Sequence, residues 1–347
     1  MSRRPHLLAP FAVAVIAAGA IAVRAYRKAL GRAREAAQEG SAIALTAAGP
    51  VEFAERGVGA PLISIHGAGG GFDQGLANAA ELMGEGFHVI APSRFGYLRT
   101  PVPADASAAA QADAHAALLS RLKVSSAIVV GVSAGARSAI QLALRHPERV
   151  DALVLVVPGA YSPTSPVSID AHGASRVAFW AVNVGADFAW WATGKLAPSN
   201  LIRFVGVPPK LLAHASHAER ERVMAVIRSI EPLSQRAAGI NVDSAEVLTE
   251  LPLERIAAPT LVISARDDLF NTAPAAEYTA GRIPGAKLIV YETGGHLLVG
   301  RGPEVREAVR ALLAGAGLGA KAAAGPAPRR GRTRAPASPK KRPRPRG

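Results

Sequence analysis

The sequence contains no cysteine, and this absence excludes a disulfide framework, a thiolate nucleophile and a cysteine-based metal site. Aromatic residues are also scarce, at 5% of the chain. The remaining composition, with 49% hydrophobic and 19% charged residues over 347 positions, is typical of a globular protein that can bury a large core. The redox compartment stays open, because a chain without cysteine tolerates either environment.

Acidic residues are missing from both ends of the chain. Residues 1–34 hold seven Lys/Arg and residues 321–347 hold ten, with no Asp or Glu in either range. The net charge of +14 therefore belongs to the ends, because residues 35–320 carry 23 basic against 26 acidic side chains. This balance argues against a basic groove for nucleic acid, and we expect no specific nucleic-acid partner.

A 17-residue uncharged stretch, Leu7 to Val23, lies between two basic clusters. Its length is near the lower limit of roughly 17–25 residues for crossing a bilayer. Five basic residues follow it and two precede it, which predicts a membrane anchor within residues 1–34 and a cytoplasmic domain behind it. Two alternatives remain open: a secretory signal cleaved after Ala20, which would export the domain, and a buried soluble segment.

Short apolar runs alternate with Ala-rich stretches through most of the chain. This pattern predicts an α/β fold, a mostly parallel twisted sheet with helices on both faces. The alternation stops near Pro158 and resumes with the run that begins at Thr260, and we assign residues 35–160 and 246–318 to the core and residues 161–245 to an insertion. Residues 319–347 are predicted to be disordered, with a weak attraction to anionic lipid as an option. The predicted strands are 61–65, 87–91, 127–130, 152–157, 260–264 and 287–290.

Ser133 lies in a Gly-x-Ser-x-Gly sequence, residues 131–135, between a predicted strand and a predicted helix. A sharp strand-to-helix turn at this place would expose the serine hydroxyl above the sheet edge. A hydroxyl is a weak nucleophile unless a base takes its proton. The sequence therefore predicts Ser133 as a nucleophile, with a glycine-rich loop of no catalytic role as the alternative.

His296 is the candidate base, because it follows the last predicted strand and so lies at the same sheet edge as Ser133. The acid that orients it should follow a strand end between the serine and the histidine. Asp267 and Asp268 both satisfy this condition, after the strand that ends at Ser264. We favour Asp268 from its place in the loop, and the alternative is that either aspartate only caps the next helix.

These motifs resemble those of the α/β-hydrolase superfamily, in its capped, serine-nucleophile branch, over about residues 50–315. The segment from Ile65 to Gly71, Ile-His-Gly-Ala-Gly-Gly-Gly, resembles the family's His-Gly-x-Gly loop. The resemblance implies that the N–H groups of Ala68 and Ala134 form an oxyanion hole, which stabilises the negative oxygen of a tetrahedral intermediate. The residues implied to support this loop are His66, Gly67 and Gly69.

The resemblance also implies an activity. We expect a Ser-His-Asp hydrolase that forms an acyl-enzyme on an ester or related acyl bond of a small hydrophobic substrate, with no metal and no cofactor. The insertion corresponds to a cap, whose apolar segment Ala171–Leu196 would line the substrate pocket, pack only on the cap itself or face lipid. A cofactor-free haloperoxidase, a carbon–carbon bond hydrolase and a non-catalytic membrane-associated binding protein remain as alternatives.

Overall fold

The computed structural model describes residues 8–164 and 187–318, with side chains from residue 17 onward. Its strands are β1 Ala42–Thr46, β2 Gly49–Arg56, β3 Ala60–Ile65, β4 Phe87–Pro92, β5 Ala127–Val132, β6 Val150–Val156, β7 Thr260–Ala265 and β8 Lys287–Tyr291. These eight strands form one sheet in the order β1-β2-β4-β3-β5-β6-β7-β8. The six strands from β4 to β8 along this order run parallel, whereas β1 and β2 form an antiparallel edge.

Helices cover both faces of the sheet. They are α1 Leu8–Ala36, α2 Phe72–Leu82, α3 Ala108–Arg121, α4 Gly135–Arg145, α5 Asp187–Leu196, α6 Pro198–Phe204, α7 Pro209–His214, α8 His217–Ser229, α9 Ala237–Ala245, α10 Ala273–Arg282 and α11 Gly302–Gly315. One apolar layer joins the sheet to α3, α4 and α10, and the other joins it to α2 and α11. The side chains of each strand divide between the two layers because successive side chains alternate: Ile63 and Ile65 belong to the first layer and Leu62 to the second. The predicted α/β fold is confirmed.

The hairpin of β1 and β2 is the part of the sheet that the sequence pattern did not define. Its register pairs Thr46 with Gly49, so Ala47 and Ala48 occupy the turn. Two-residue hairpin turns are recognised in sequences by Asn-Gly or similar pairs, and Ala-Ala carries no such signal. The turn is instead closed by the Thr46 hydroxyl, which donates to the Gly49 carbonyl at 2.7 Å.

The described part of the insertion between β6 and β7 is mostly helical. Helices α5 to α9 lie between residues 187 and 245 and share an apolar cluster of their own. In that cluster Trp190 packs edge-on against Phe204, with 5.0 Å between ring centroids, so this tryptophan packs the cap itself. Residues 165–186, with Phe179 and Trp180 of the predicted apolar wall, and the tail at 319–347 lie outside the described residues. The limits of 161–245 for the insertion stay a prediction.

Helix α1 contains the predicted membrane anchor. Most of that anchor, at residues 7–16, lies outside the described side chains, and in the described part of the chain no helix is long and apolar enough to cross a membrane. The predicted anchor therefore gains no support from the structure. Further along α1, the Tyr26 ring packs edge-on against Phe188 of α5 at 5.2 Å.

Helix α2 lies unusually close to the sheet at Gly75. A Cβ at this position would lie 2.8 Å from the Ser64 carbonyl oxygen and 2.9 Å from the Cβ of Ala91. Side chains at such distances must move, so a glycine is what allows α2 to approach β3 and β4 and to place the loop before it at the sheet edge.

We expect Gly75→Ala to lower the free energy of unfolding by about 1–3 kcal/mol, because the added methyl group overpacks the helix–sheet contact. Gly281→Ala is the matched control, since a Cβ there meets nothing within 4 Å in helix α10. The control should be neutral or stabilise the protein by up to about 1 kcal/mol. Urea unfolding followed by circular dichroism measures both, and equal stabilities of the two variants would contradict the close packing of α2.

Candidate active site

Ser133 occupies the turn between β5 and α4 with a left-handed backbone, φ 52°. Non-glycine residues rarely adopt this conformation, which costs of order 1–3 kcal/mol and persists only where the surroundings hold it. Here the Ser133 N–H donates to the carbonyl of Val156 at 2.9 Å, and its carbonyl accepts from the N–H of Gly159 at 2.9 Å. The end of β6 therefore fixes the turn from the neighbouring strand.

The two glycines of the motif allow close packing on each side of the serine. A Cβ at Gly131 would lie 2.6 Å from the Cβ of Ala139, and a Cβ at Gly135 would lie 2.5 Å from the carbonyl oxygen of His66. Gly131 thus lets α4 cross β5, and Gly135 lets α4 begin against the loop that follows β3.

The structure brings His296 and Asp268 together. Their Nδ1 and Oδ2 atoms are 2.8 Å apart, and the aspartate side chain is fully inaccessible to solvent. The same carboxylate accepts hydrogen bonds from the N–H of Phe270 at 2.9 Å and from the Thr272 hydroxyl. Because an ionised carboxylate can only accept, the proton of a neutral His296 belongs on Nδ1, which leaves Nε2 able to act as a base.

Of the two hydrogen bonds expected within the predicted triad, the described residues form only the one between His296 and Asp268. Within the described residues the Ser133 hydroxyl makes no hydrogen bond to His296, whereas the His296–Asp268 bond is formed. Catalytic hydrogen bonds to a nucleophile are often long before a substrate is bound. The three roles therefore stay a prediction, with the geometry of the base and the acid in place.

The two neighbouring aspartates hold different partners. Asp267 accepts hydrogen bonds at its Oδ1 from the N–H groups of Gly294 and Gly295, at 2.9 and 2.7 Å. It therefore fixes the backbone of the loop that leads to His296, whereas Asp268 contacts the imidazole itself. The sequence favoured Asp268 but did not exclude Asp267, because residues one position apart in a loop have no spacing that separates their directions.

The loop after β3 lies directly against Ser133. A Cβ at Gly67 would lie 3.0 Å from the Cβ of Ser133. On either side of Ala68 the backbone is held, since the Gly67 N–H donates to Gln74 Oε1 at 2.9 Å and the Gly69 N–H to the Tyr97 hydroxyl at 3.3 Å.

Two N–H groups beside the serine are left without an acceptor. In the part of the chain that the structure describes, neither Ala68 nor Ala134 donates a backbone hydrogen bond. Ala134 is buried and Ala68 half-buried, and backbone amides inside a protein are nearly always paired, so both N–H groups are available to a bound ligand. An oxyanion hole needs two such donors that converge on one oxygen, and this role of Ala68 and Ala134 stays a prediction.

His66 supports this loop as a neutral, fully buried side chain. Its Nε2 accepts from the Arg94 N–H at 2.9 Å, and its Nδ1 donates to the Gly67 carbonyl at 2.7 Å. Burial, and then the nearby Arg94 charge, hold the pKa of His66 well below its usual range. A neutral imidazole with one donor and one acceptor fits both contacts, so His66 ties the loop after β3 to the loop after β4.

The cap reaches the acid and base loops through Gly206. Its carbonyl accepts from the N–H groups of His296 at 3.1 Å and Leu269 at 3.2 Å. The backbone here is left-handed, φ 75°, and a Cβ would lie 2.5 Å from the Cβ of His296 and 2.7 Å from the Phe270 ring. Only a glycine fits, and nothing in the local sequence identified it, because the contact joins segments 90 residues apart.

Helix α8 holds the chain after His296. Arg222 donates to the carbonyl of Leu297 at 2.9 Å, and Glu219 accepts from the N–H of Gly300 at 2.9 Å. Arg222 and Glu219 also form an ion pair at 2.8 Å.

The described ranges contain no group of three or more His, Asp or Glu side chains that could hold a metal ion.

The lowered pKa values of two buried histidines, His66 and His115, predict how the stability of the protein depends on pH. Burial, with Arg94 nearby, lowers the pKa of His115 to about 3, and that of His66 is also well below the usual 6.5. As the pH falls through 6.5 the unfolded chain takes up two protons that the folded chain does not. The free energy of unfolding should therefore fall below pH 6.5, by about 1.4 kcal/mol per pH unit for each histidine.

Urea unfolding between pH 7.5 and 5 measures this slope. His115→Gln removes one of the two protons and should reduce the histidine contribution by about half. His115 contacts Ser138 at 3.2 Å and no residue of the predicted triad, so the variant is informative without altering that triad. An unchanged slope would mean that His115 is protonated in the folded protein.

Comparison with known proteins identifies the family. The model of the alpha/beta hydrolase fold family matches residues 60–303. The chain is 28% identical over 240 residues to the "Putative carbamate hydrolase RutD" of Pseudomonas syringae pv. syringae, which covers 68% of this chain and 87% of that protein. It is 28% identical over 254 residues to the "2-hydroxymuconate semialdehyde hydrolase" of Pseudomonas putida, with 70% and 82% covered.

A solved structure gives the same result. The "Alpha/beta hydrolase fold protein from Nakamurella multipartita" superposes with a TM-score of 0.62 at 29% identity, over 80% of this chain and 99% of that chain. The resemblance inferred from the sequence is thereby confirmed. The matched residues include the parallel sheet, the turn at Ser133 and the His296–Asp268 pair, and the chain belongs to the alpha/beta hydrolase fold family as one of its hydrolases.

Proposed function

We propose that the protein is a serine hydrolase that cleaves an ester or related acyl bond through an acyl-enzyme on Ser133. The observation that carries this proposal is the buried His296–Asp268 hydrogen bond of 2.8 Å, at the same sheet edge as the left-handed turn of Ser133. A buried carboxylate that fixes the imidazole leaves Nε2 as the one basic atom of that ring, which is what a serine nucleophile needs.

In the first step the Ser133 Oγ attacks the carbonyl carbon of the substrate. His296 Nε2 takes the hydroxyl proton, the carbon–oxygen π bond breaks, and the carbonyl oxygen becomes negative. The N–H groups of Ala68 and Ala134 donate to that oxygen, which stabilises it by several kcal/mol, typically about 3–4 for one donor. His296 then gives its proton to the leaving group as the tetrahedral intermediate collapses to the acyl-enzyme.

Water repeats the sequence in the second half of the reaction. It attacks the acyl carbon while His296 removes its proton, and collapse of the second intermediate returns the proton to Ser133 and releases the acid. The Asp268 carboxylate stays ionised throughout and stabilises the imidazolium that forms in each half. No step calls for a metal or a cofactor.

The substrate that we propose is small and hydrophobic. The apolar cluster of the cap includes Leu297 and Val299, which follow His296 in the chain, and the Phe270 ring packs edge-on against the His296 ring at 4.7 Å, so apolar side chains lie next to the candidate base. The likeness to a semialdehyde hydrolase favours one second candidate, a carbonyl substrate of that printed class, attacked by the same serine. Parallel assays with a short-chain nitrophenyl ester and with a semialdehyde substrate separate the two.

Fluorophosphonate labelling tests the nucleophile. The reagent bonds to activated serine hydroxyls, so we expect one labelled residue, Ser133, and no label on Ser133→Ala. Ser138→Ala is the matched control, because this buried hydroxyl lies on α4, five residues after Ser133. The control should label as the wild type does, and mass spectrometry locates the modified peptide. Label on Ser133→Ala would rule out this nucleophile.

The two aspartates provide a second test. Asp268→Asn should lower kcat by about 10⁴, because the amide favours the wrong imidazole tautomer. Asp267→Asn should lower it far less, since its oxygen accepts only from two backbone N–H groups and an amide oxygen can still do so. Steady-state hydrolysis of the nitrophenyl ester measures both, and the reverse order would assign the acid to Asp267.

A further inference from the structure

Asp243, on helix α9 of the cap, is a buried carboxylate with no role in the mechanism above. It is 2% exposed, and its two oxygens accept from the two terminal nitrogens of Arg94 at 2.6 and 2.7 Å. The Tyr97 hydroxyl donates to the same carboxylate. Burial alone would raise the pKa of Asp243, but Arg94 holds it below its usual range, so the pair is ionised.

Both partners of Asp243 hold the loop that contains Ala68. Arg94 donates through its backbone N–H to His66 Nε2 and through its Nε to the His66 carbonyl, each at 2.9 Å. The Tyr97 hydroxyl oxygen accepts from the N–H of Gly69 at 3.3 Å. The carboxylate of Asp243 thus fixes the side chains of Arg94 and Tyr97. These two residues bind the loop before and after Ala68, whose N–H is one of the two spare donors.

Asp243 also holds the segment of the second spare amide, the N–H of Ala134. The backbone carbonyl of Asp243 accepts from Arg137 at 2.7 Å, and Arg137 donates through Nε to the carbonyl of Gly159 at 2.9 Å. Gly159 lies against the nucleophile turn, since a Cβ there would be 3.3 Å from the Ala134 nitrogen. The side chain of Asp243 therefore acts on the loop that contains Ala68, and its backbone carbonyl acts on the turn that contains Ser133 and Ala134.

A buried ion pair such as Arg94–Asp243 adds little to the stability of a protein, but it fixes the orientation of the side chains that form it. The cost of removing both charges from water offsets most of their attraction, and apolar replacements are often as stable. What the bidentate contact supplies is a fixed direction for the planar guanidinium. That direction is transmitted to His66, the residue two positions before Ala68.

We propose that Asp243 is a positioning residue of the oxyanion hole, which sets the separation of the Ala68 and Ala134 N–H groups through Arg94, Tyr97 and Arg137. This inference rests on the proposed function, because the two amides stabilise an oxyanion only if Ser133 attacks a carbonyl. Such donors act at about 2.7–3.1 Å from the developing oxygen, and a displacement of 1 Å can cost about 10²-fold in rate. The cap therefore determines the strength of the hole and not only access to it.

Benzyl trifluoromethyl ketone provides a readout specific to the hole. Ser133 Oγ adds to its carbonyl carbon, the π electrons move to oxygen and the serine proton moves to His296, which gives a hemiketal with an ionised oxygen. The pKa of that hemiketal, followed by ¹⁹F NMR on the full chain, reports how strongly the two amides stabilise the negative charge. A smaller folded fraction lowers the signal but leaves this pKa unchanged.

Tyr97→Phe is the principal variant, because it removes the Gly69 contact and keeps the Arg94–Asp243 pair. We expect the hemiketal pKa to rise by about one unit and kcat for ester hydrolysis to fall about 10-fold, with KM nearly constant. Asp243→Asn should raise that pKa by about two units and lower kcat about 10²-fold, in the range found when an oxyanion donor is lost. If Asp243→Asn does not fold, Tyr97→Phe alone decides.

The matched control is Asp187→Asn, which removes another buried cap carboxylate, bonded to the backbone and hydroxyl of Ser234. It should leave the hemiketal pKa at the wild-type value. A wild-type pKa in Tyr97→Phe, or an equal shift in Asp187→Asn, would overturn the role of Asp243. If the wild-type chain forms no hemiketal and takes no fluorophosphonate, the proposed function fails instead, so the two failures are distinguishable.

Discussion

The left-handed turn at Ser133 is the constraint on which the rest of the site depends. A serine in this conformation is held against its own preference, so the surrounding elements must fix it from several sides. The end of β6 binds its backbone, and two glycines let α4 pack against β5 and against the loop after β3. These contacts require α4 and the ends of β3, β5 and β6 to be in place, so the turn at Ser133 forms only when this part of the sheet is assembled.

The cap is a structural part of the site and not only a cover over it. Three of its segments end on loops of the candidate site: Asp243 behind the Ala68 loop, Gly206 behind the His296 and Leu269 amides, and Arg222 behind the chain after His296. Each contact meets backbone groups or buried charges whose loss would leave unsatisfied donors or acceptors. The insertion and the α/β core consequently form one hydrogen-bonded unit around the predicted triad.

The sequence predicted the parts of the molecule that depend on local order. Six parallel strands and the helices between them follow from apolar runs and their separators, and Ser133, His296 and the aspartate pair follow from strand ends that share one edge. The β1–β2 hairpin was not defined, because Ala47 and Ala48 lack turn chemistry. Gly206 and Asp243 were not found either, since their partners are about 60 to 150 residues away in sequence and no spacing connects them.

One carbonyl group of the cap, that of Gly206, is hydrogen-bonded to both the loop of His296 and the loop of Asp268. The position of this cap loop and the alignment of His296 with Asp268 are therefore coupled. By thermodynamic linkage, a ligand that binds more tightly to the aligned residues also favours the bound position of the cap loop, by the same coupling free energy in both directions. A freely hinged cover, without such a hydrogen bond, would lack this coupling.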